Sequence, residues 1–176
     1  MSRLEPYKKV ELVVDVFNEH KDLNLIIVGE GTEKERLEQM AGENIKFLGR
    51  MNDQELAKLY SEAEALIMPQ EEDFGYAALE AQFFGRPVIA YGKGGAVETV
   101  IDAKTGIFFD KQTEESLAQA LERFKRISYN LRCQTKVGGK INVQRFGKVG
   151  FVNSIKGLII SKLKCQMSNP QLKTQN

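Results

Sequence analysis

Residues 123–176 contain no aspartate or glutamate. All 24 acids lie in residues 1–122 beside 13 of the 25 Lys and Arg, a net charge of −11. The remaining 12 cations give the last segment +12, so the overall +1 hides two halves of opposite sign. Segregation of this kind separates segments with different roles and sets a boundary near residue 126. No apolar run approaches the roughly 18 residues of a membrane span, and no signal-peptide pattern opens the chain. The expected setting is therefore cytoplasmic and reducing. The two cysteines, Cys133 and Cys165, lack a partner motif and do not suggest a disulfide framework. The single histidine, His20, closes an amphipathic stretch at Asn18–Asp22, where a helix end is the better reading than a general base, which needs a cleft. No His/Cys or carboxylate cluster has metal-ligand spacing, so no metal is expected.

What remains is an ordinary globular composition, 42% hydrophobic and 28% charged, long enough for one domain with a sizeable core. Val10, Val13, Val14 and Phe17 fall on one helical face. Leu25–Val28 reads as a buried strand stopped by Gly29-Glu30-Gly31. Thr32 with Glu35 reads as a capping box that opens a helix burying Leu37, Met40 and Ala41. Ile45–Leu48 is a short strand, and Asn52 with Glu55 repeats the cap ahead of Leu56, Leu59 and Tyr60. Ala65–Met68 is a strand ended by Pro69, followed by a helix from about Tyr76 to Phe84 that stops at Gly85 and Pro87. Val88–Tyr91 and Gly106–Phe109 are further strands, with a short helix from Ala96 to Ile101 between them. Thr113 opens a helix with Leu117, Ala120, Leu121 and Phe124 on one face. Apolar strands spaced by amphipathic helices predict an α/β, doubly wound parallel sheet, Rossmann-like, covered on both faces. Such sheets bind ligands at the carboxyl ends of their strands. Beyond Ser128 the alternation fails, and glycines interrupt everything except Leu158-Ile159-Ile160. Residues 1–126 are thus read as the folded domain and 127–176 as an irregular basic tail.

The densest chemical signal is Pro69-Gln70-Glu71-Glu72-Asp73-Phe74-Gly75-Tyr76-Ala77-Ala78-Leu79-Glu80-Ala81. A strand delivers the chain to a loop, Gly75 permits close approach, and a helix begins whose free N–H groups and dipole make an anion site. Glu72 lies before that end and Glu80 about one turn inside. Ionised carboxylates only accept hydrogen bonds, so they suit a ligand that presents hydroxyls as well as phosphate. Two glutamates eight apart also arise by chance in an acid-rich chain, and acids favour helix N-termini in any case. Gly29-Glu30-Gly31 lacks the third glycine of a dinucleotide fingerprint and reads as a strand-end turn. Gly92, Gly94 and Gly95 shape either a ligand-facing loop or a plain turn. Arg50 is either a ligand contact or a surface residue.

Taken in order, Glu72-Asp73-Phe74-Gly75 to Glu80-Ala81, Gly85-Arg86-Pro87-Val88-Ile89-Ala90 and Gly94-Gly95-Ala96-Val97-Glu98-Thr99-Val100 resemble the donor-site signature of family-4 retaining glycosyltransferases. The opening Ser2–Lys9 is similar to that family's basic loop. The likeness covers about residues 2–126, and its wording is most similar to bacterial O-antigen and exopolysaccharide mannosyltransferases. It implies the C-terminal, donor-binding half of a GT-B fold. Arg3 and Lys8 would neutralise the diphosphate and stabilise the leaving nucleotide. Glu72 would contact the donor sugar and Glu80 the ribose. Phe74, Gly75, Tyr76 and Ala77 would offer backbone N–H groups and shape. The implied donor is GDP-mannose or a UDP-hexose, with no cofactor or metal. The acceptor, a glycan or lipid-linked sugar, would need an N-terminal domain that this sequence lacks. The resemblance also places a hydrophobic strand just ahead of Ser2, so the chain is expected to be incomplete at both ends and not to transfer alone.

Two readings of the basic tail stay open: an altered reading frame, or a basic segment for an anionic membrane surface. Nucleic acid fits less well, because periodic aromatics and a binding motif are missing. A non-catalytic nucleotide-binding or interaction module on the same scaffold competes with the transferase reading. A response-regulator-like domain is disfavoured by the lack of an acidic pair after an opening strand.

Overall fold

The computed structural model describes residues 1–147. Its strands are β1 (Leu25–Ile27), β2 (Ile45–Phe47), β3 (Leu66–Met68), β4 (Val88–Tyr91) and β5 (Gly106–Phe109). Its helices are α1 (Val10–Glu19), α2 (Lys34–Met40), α3 (Asp53–Glu62), α4 (Tyr76–Phe83), α5 (Ala96–Thr99) and α6 (Glu114–Phe146), with a 3₁₀ turn at Pro6–Lys8 ahead of α1. Every strand pair is parallel. β1 lies beside β2 with Leu25 opposite Ile45, and β4 lies between β3 and β5 with Val88 opposite Leu66 and Gly106. Parallel neighbours need crossovers, and helices supply them.

Alternation along β4 shows why the sheet needs cover on both sides. Ile89 and Tyr91 pack with Val13, Val14 and Phe17 of α1 and Leu117, Leu121 and Phe124 of α6. Val88 and Ala90 point the other way, onto Tyr60 of α3, Ala78 and Ala81 of α4 and Ala96 of α5. Each fully buried aliphatic side chain contributes about 1.5–3 kcal/mol, which makes these two layers the main source of stability. The expected α/β, doubly wound architecture is therefore present. It differs in one respect: the strands form two ladders, β1-β2 and β3-β4-β5, with no hydrogen-bonded pairing between β1 and β3.

Two local expectations need correction. The Asn52–Glu55 capping box forms, with the Asn52 side chain accepting from the Gln54 and Glu55 amides and Glu55 returning to the Asn52 amide. The Thr32–Glu35 box does not. α2 begins at Lys34 behind Glu33, without a side-chain cap. Thr32 instead gives its hydroxyl (2.7 Å) and its amide (3.3 Å) to the Glu5 carboxylate. A tertiary acceptor with charge outcompetes the local one.

The second correction concerns the boundary at residue 126. α6 runs unbroken from its Thr113 cap to Phe146, past the point where the irregular tail was expected. Leu131, Thr135, Gly139 and Asn142 of its second half are buried. Of the adjacent glycines Gly138 and Gly139, the second is a contact point. A Cβ on Gly139 would sit 2.4 Å from the Gln82 carbonyl oxygen, so only glycine lets α6 approach α4 this closely. Beside it, the Asn142 amide donates to the Gln82 side-chain oxygen (2.7 Å) and the Thr99 carbonyl (2.8 Å). The remaining tail, with Leu158-Ile159-Ile160 and Cys165, lies outside the described residues.

Candidate functional site

The loop between β3 and α4 stands at the carboxyl edge of the sheet, and three separate parts of the chain fix its shape. Gly75, the N-cap of α4, has φ +78° and ψ 57°, a left-handed conformation open to glycine at little cost. No side chain caps the helix. The Ala78 amide bonds the Gly75 carbonyl, which leaves the Tyr76 and Ala77 amides without an acceptor among the described residues. Unsatisfied N–H groups at the positive end of a helix suit an anion.

Gly94 and Gly95 brace the loop from the next crossover. The Gly95 amide donates to the Glu72 carbonyl at 2.6 Å, and Gly94 bridges Glu72 in parallel fashion. Added Cβ atoms would stand 2.4 Å from the Glu72 carbonyl oxygen and 2.5 Å from that of Asp73. These two glycines therefore serve close packing of this loop against the Glu72 segment. Thr99 secures the same crossover through its hydroxyl to the Gly95 carbonyl (2.9 Å).

The Glu72 carboxylate is the electrostatic centre. It accepts from the Lys8 ammonium and from the Gln70 side-chain amide (2.7 Å). Partial burial works to raise its pKa, yet the hydrogen bonds from Lys8 and Gln70 and the charges of Lys8 and Arg3 prevail and hold it below the usual range. Lys8 closes the 3₁₀ turn, and Lys9 behind it adopts φ +53°, a bend that starts α1. Arg3 is exposed and acts on Glu72 through its charge. Arg3, Lys8 and Glu72, distant in sequence, are thus one electrostatic group.

Glu80 faces a different neighbour. It accepts from the Tyr60 hydroxyl at 3.0 Å, and the Tyr60 ring stacks on Phe84 with centroids 5.7 Å apart. Burial first, then the Glu80 charge, pushes the Tyr60 phenol above its ordinary value. Phe74 lies against Tyr76 (4.9 Å) and against Phe146 at the end of α6 (5.6 Å). Tyr76 itself is 73% exposed.

Sequence reasoning missed Gln70, Tyr60 and the Gln82–Thr99–Asn142 cluster. Gln70 stood within the chemical run but carried no charge to mark it, and Tyr60 looked like one more apolar helix residue. Asn142 lay in a stretch whose helical period was masked by glycine. Elsewhere, Gly29 donates to the Gly49 carbonyl (2.7 Å) and Glu30 pairs with Lys34 (3.0 Å), as a strand-end turn would. His20 is the C-cap of α1, and Arg50 is exposed.

As it stands, the site offers a helix N-terminus, the cations Lys8 and Arg3 beside the Glu72 carboxylate, and the Glu80 carboxylate held by Tyr60 within α4. An arriving anion can take Lys8 from Glu72, freeing a carboxylate oxygen to accept from a hydroxyl. A ligand carrying both groups satisfies both partners.

Residues 1–138 match the sequence family described as glycosyl transferases group 1. The chain is 34% identical over 135 residues to a GDP-mannose-dependent monoacylated alpha-(1-6)-phosphatidylinositol monomannoside mannosyltransferase of Corynebacterium glutamicum, a match that covers 68% of this chain and 35% of that protein. Among solved structures, sucrose-phosphate synthase from Thermosynechococcus elongatus superposes with a TM-score of 0.77 at 28% identity, over 94% of this chain and 44% of that one. Anabaena Alr3699/HepE, solved in complex with UDP-glucose, superposes with a TM-score of 0.76 at 24% identity, over 92% and 47%. The chain spans about a third of the length of that curated relative.

Proposed function

We propose, from the premise that the chain belongs to the glycosyl transferases of group 1, that it is the donor-binding half of a retaining GT-B hexosyltransferase. The donor is a nucleotide diphosphate sugar, with GDP-mannose favoured over UDP-hexoses. The mannosyltransferase relative and the family-4 wording of the Glu72–Glu80 loop support that order. The acceptor is a glycan or a lipid-linked sugar, bound by a second domain at the inner, cytoplasmic face of the membrane.

The single observation that carries this reading is the convergence of Lys8, Glu72 and the open α4 N-terminus at the carboxyl edge of a parallel sheet. In the proposed complex the diphosphate rests on the Tyr76 and Ala77 amides and draws Lys8 and Arg3. As the glycosidic bond breaks, negative charge grows on the leaving phosphate, and fixed cations stabilise that state more than the ground state. Glu72, released from Lys8, accepts from a donor-sugar hydroxyl, and Glu80 accepts from the ribose. Phe74 and Tyr76 shape the pocket wall. Cations and a helix end do the work that a metal does in other nucleotide-dependent enzymes.

Calorimetric titration with GDP-mannose, UDP-glucose, GDP and UDP tests the proposal. Saturable binding of one nucleotide sugar is expected, weakened by about tenfold or more in Glu80→Gln, the size of one hydrogen bond to a charged group. Folded protein that binds none of the four would overturn it.

A further inference from the structure

The two oxygens of the Glu72 carboxylate are used unequally. Lys8 and the Gln70 side-chain amide (2.7 Å) both donate to Oε1, and among the described residues no group donates to Oε2. The two donors differ in kind. Lys8 carries a compact charge on a flexible four-carbon stem. Gln70 is neutral, 5% exposed, and only two positions along the chain from its acceptor. Its backbone is tied down immediately ahead of it, because the Pro69 carbonyl accepts from the Gln112 side chain (2.8 Å) just before α6. The acceptor also sets which way the amide lies, since a carboxylate only accepts and the NH2 end must face it.

That difference decides what happens when an anion arrives. A diphosphate attracts Lys8 and Arg3, the two cations whose charge acts on Glu72. As Lys8 leaves, the carboxylate loses its ion-pair partner while burial continues to disfavour its charged form. A second ammonium in place of Gln70 would be drawn toward the same anion. The amide has no net charge for the anion to pull, and packing holds it where it is. Gln70 is therefore the donor that outlasts the exchange, and the carboxylate keeps one fixed oxygen.

We propose that Gln70 is a positioning residue for the sugar end of the donor: its amide holds Oε1 of Glu72 in place while the diphosphate draws Lys8 away, and leaves Oε2 and the position Lys8 vacates open to a sugar hydroxyl. Gln70 touches no ligand and acts only through Glu72. A carboxylate that is already fixed loses less freedom when the sugar binds, so more of the contact appears as affinity. The bare nucleoside diphosphate makes no such contact and gains nothing from Gln70. The residue thus sets how strongly the site prefers a nucleotide sugar to the nucleotide alone. This inference rests on the donor-binding reading of the same site.

The test compares the full chain with Gln70→Met, which keeps the length and bulk of the side chain but cannot donate. Calorimetric titration with GDP-mannose and UDP-glucose, each beside its own bare diphosphate, reads the sugar's share of the affinity. Gln70→Met should bind the nucleotide sugar about tenfold more weakly, the loss of one hydrogen bond to a charged group, and the bare diphosphate within about twofold of the unaltered chain. General loosening of the loop would weaken both ligands alike. In the ligand-free chain, NMR of the Glu72 carboxyl carbon should show protonation at a higher pH in the variant, because the bond from Gln70 favours the ionised form. Should the variant fail to fold, the unaltered chain decides the matter. Its Gln70 side-chain amide protons should keep their hydrogen-bonded shift on saturation with GDP or UDP, while the Lys8 ammonium signal moves. Loss of that shift, affinities unchanged or equally weakened for the two kinds of ligand, or an unmoved Glu72 titration would each overturn the proposal and leave the donor-binding reading standing. Unaltered, folded chain that binds neither kind of ligand would overturn the donor-binding reading and this inference with it.

Discussion

The Lys8–Glu72 pair carries a pH dependence whose sign follows from its surroundings. Glu72 is held ionised below the ordinary glutamate range, so the folded state releases its proton more readily than the unfolded chain. A depressed carboxyl pKa contributes stability above the unfolded value, near pH 4.5, and that stability is lost as the pH falls further. Lys8→Met removes the main depressing partner and leaves only the Gln70 hydrogen bond and the Arg3 charge to oppose burial. At pH 7 the variant should lose about 1–2 kcal/mol, between the values for exposed and buried pairs. The gap between the two proteins should narrow as the pH is lowered through 4.5. Denaturant melts of both across pH 3–8 measure it, and a gap that does not depend on pH would contradict the assignment. The residue types here were legible in the sequence. Their pairing was not, because 64 positions separate Lys8 from Glu72 and spacing says nothing about which side chains meet.

Elements were most legible where one period ruled. β4 and β5 occupy the predicted residues because both are short apolar runs, the first set between Pro87 and Gly92 and the second opened by Gly106 and closed by Asp110. The Asn52 cap formed where no stronger partner competed, whereas Thr32 was claimed by Glu5. α6 beyond Ser128 was the largest miss, and its cause is specific: glycine signals a break when the reason for it lies on another helix. Adjacent glycines in α6 turn this into a test. Gly138 has nothing within 4 Å of an added Cβ, so Gly138→Ala should gain helix propensity and stabilise by about 0.5–1 kcal/mol. Gly139→Ala gains the same propensity but drives a methyl into the backbone of Gln82, an overpacking cost of about 1–3 kcal/mol, and should be destabilising. Urea melts with opposite signs for neighbouring glycines would tie the second half of α6 to α4. Equal stabilisation of both would mean that this half of the helix is not docked. The same docking reaches the candidate site, since Phe146 ends against Phe74 and Asn142 bonds Thr99.

At the scale of the molecule, the doubly wound architecture was readable because helix and strand periods alternate along most of the chain, and charge segregation was readable by counting. Neither property revealed where the charge halves meet. Arg123 pairs with Asp102, Lys125 with Asp22 and Arg132 with Glu64, so the acid-free segment is stitched to the acidic body. These pairs are largely exposed and screened by solvent, so the apolar stripe of α6 holds it in place and the charges only refine the fit. Nor did the sequence foretell two ladders, since apolar runs announce buried strands without naming their neighbours. The division has a measurable consequence in the native state. An amide inside a ladder exchanges only when that part of the structure opens, whereas that of Ile26 or Ile67, turned to the unpaired edge of its ladder, meets water more readily. Along β1 the amides of Leu25 and Ile27 should be protected and that of Ile26 should exchange faster by about a hundredfold or more, a step that side-chain burial alone does not produce. Along β3, Leu66 should be protected and Ile67 should not. The central strand β4, paired on both sides, should show no such alternation. Residue-resolved hydrogen exchange at neutral pH separates these cases, and uniform protection of Leu25, Ile26 and Ile27 would mean that β1 and β3 are already joined in solution.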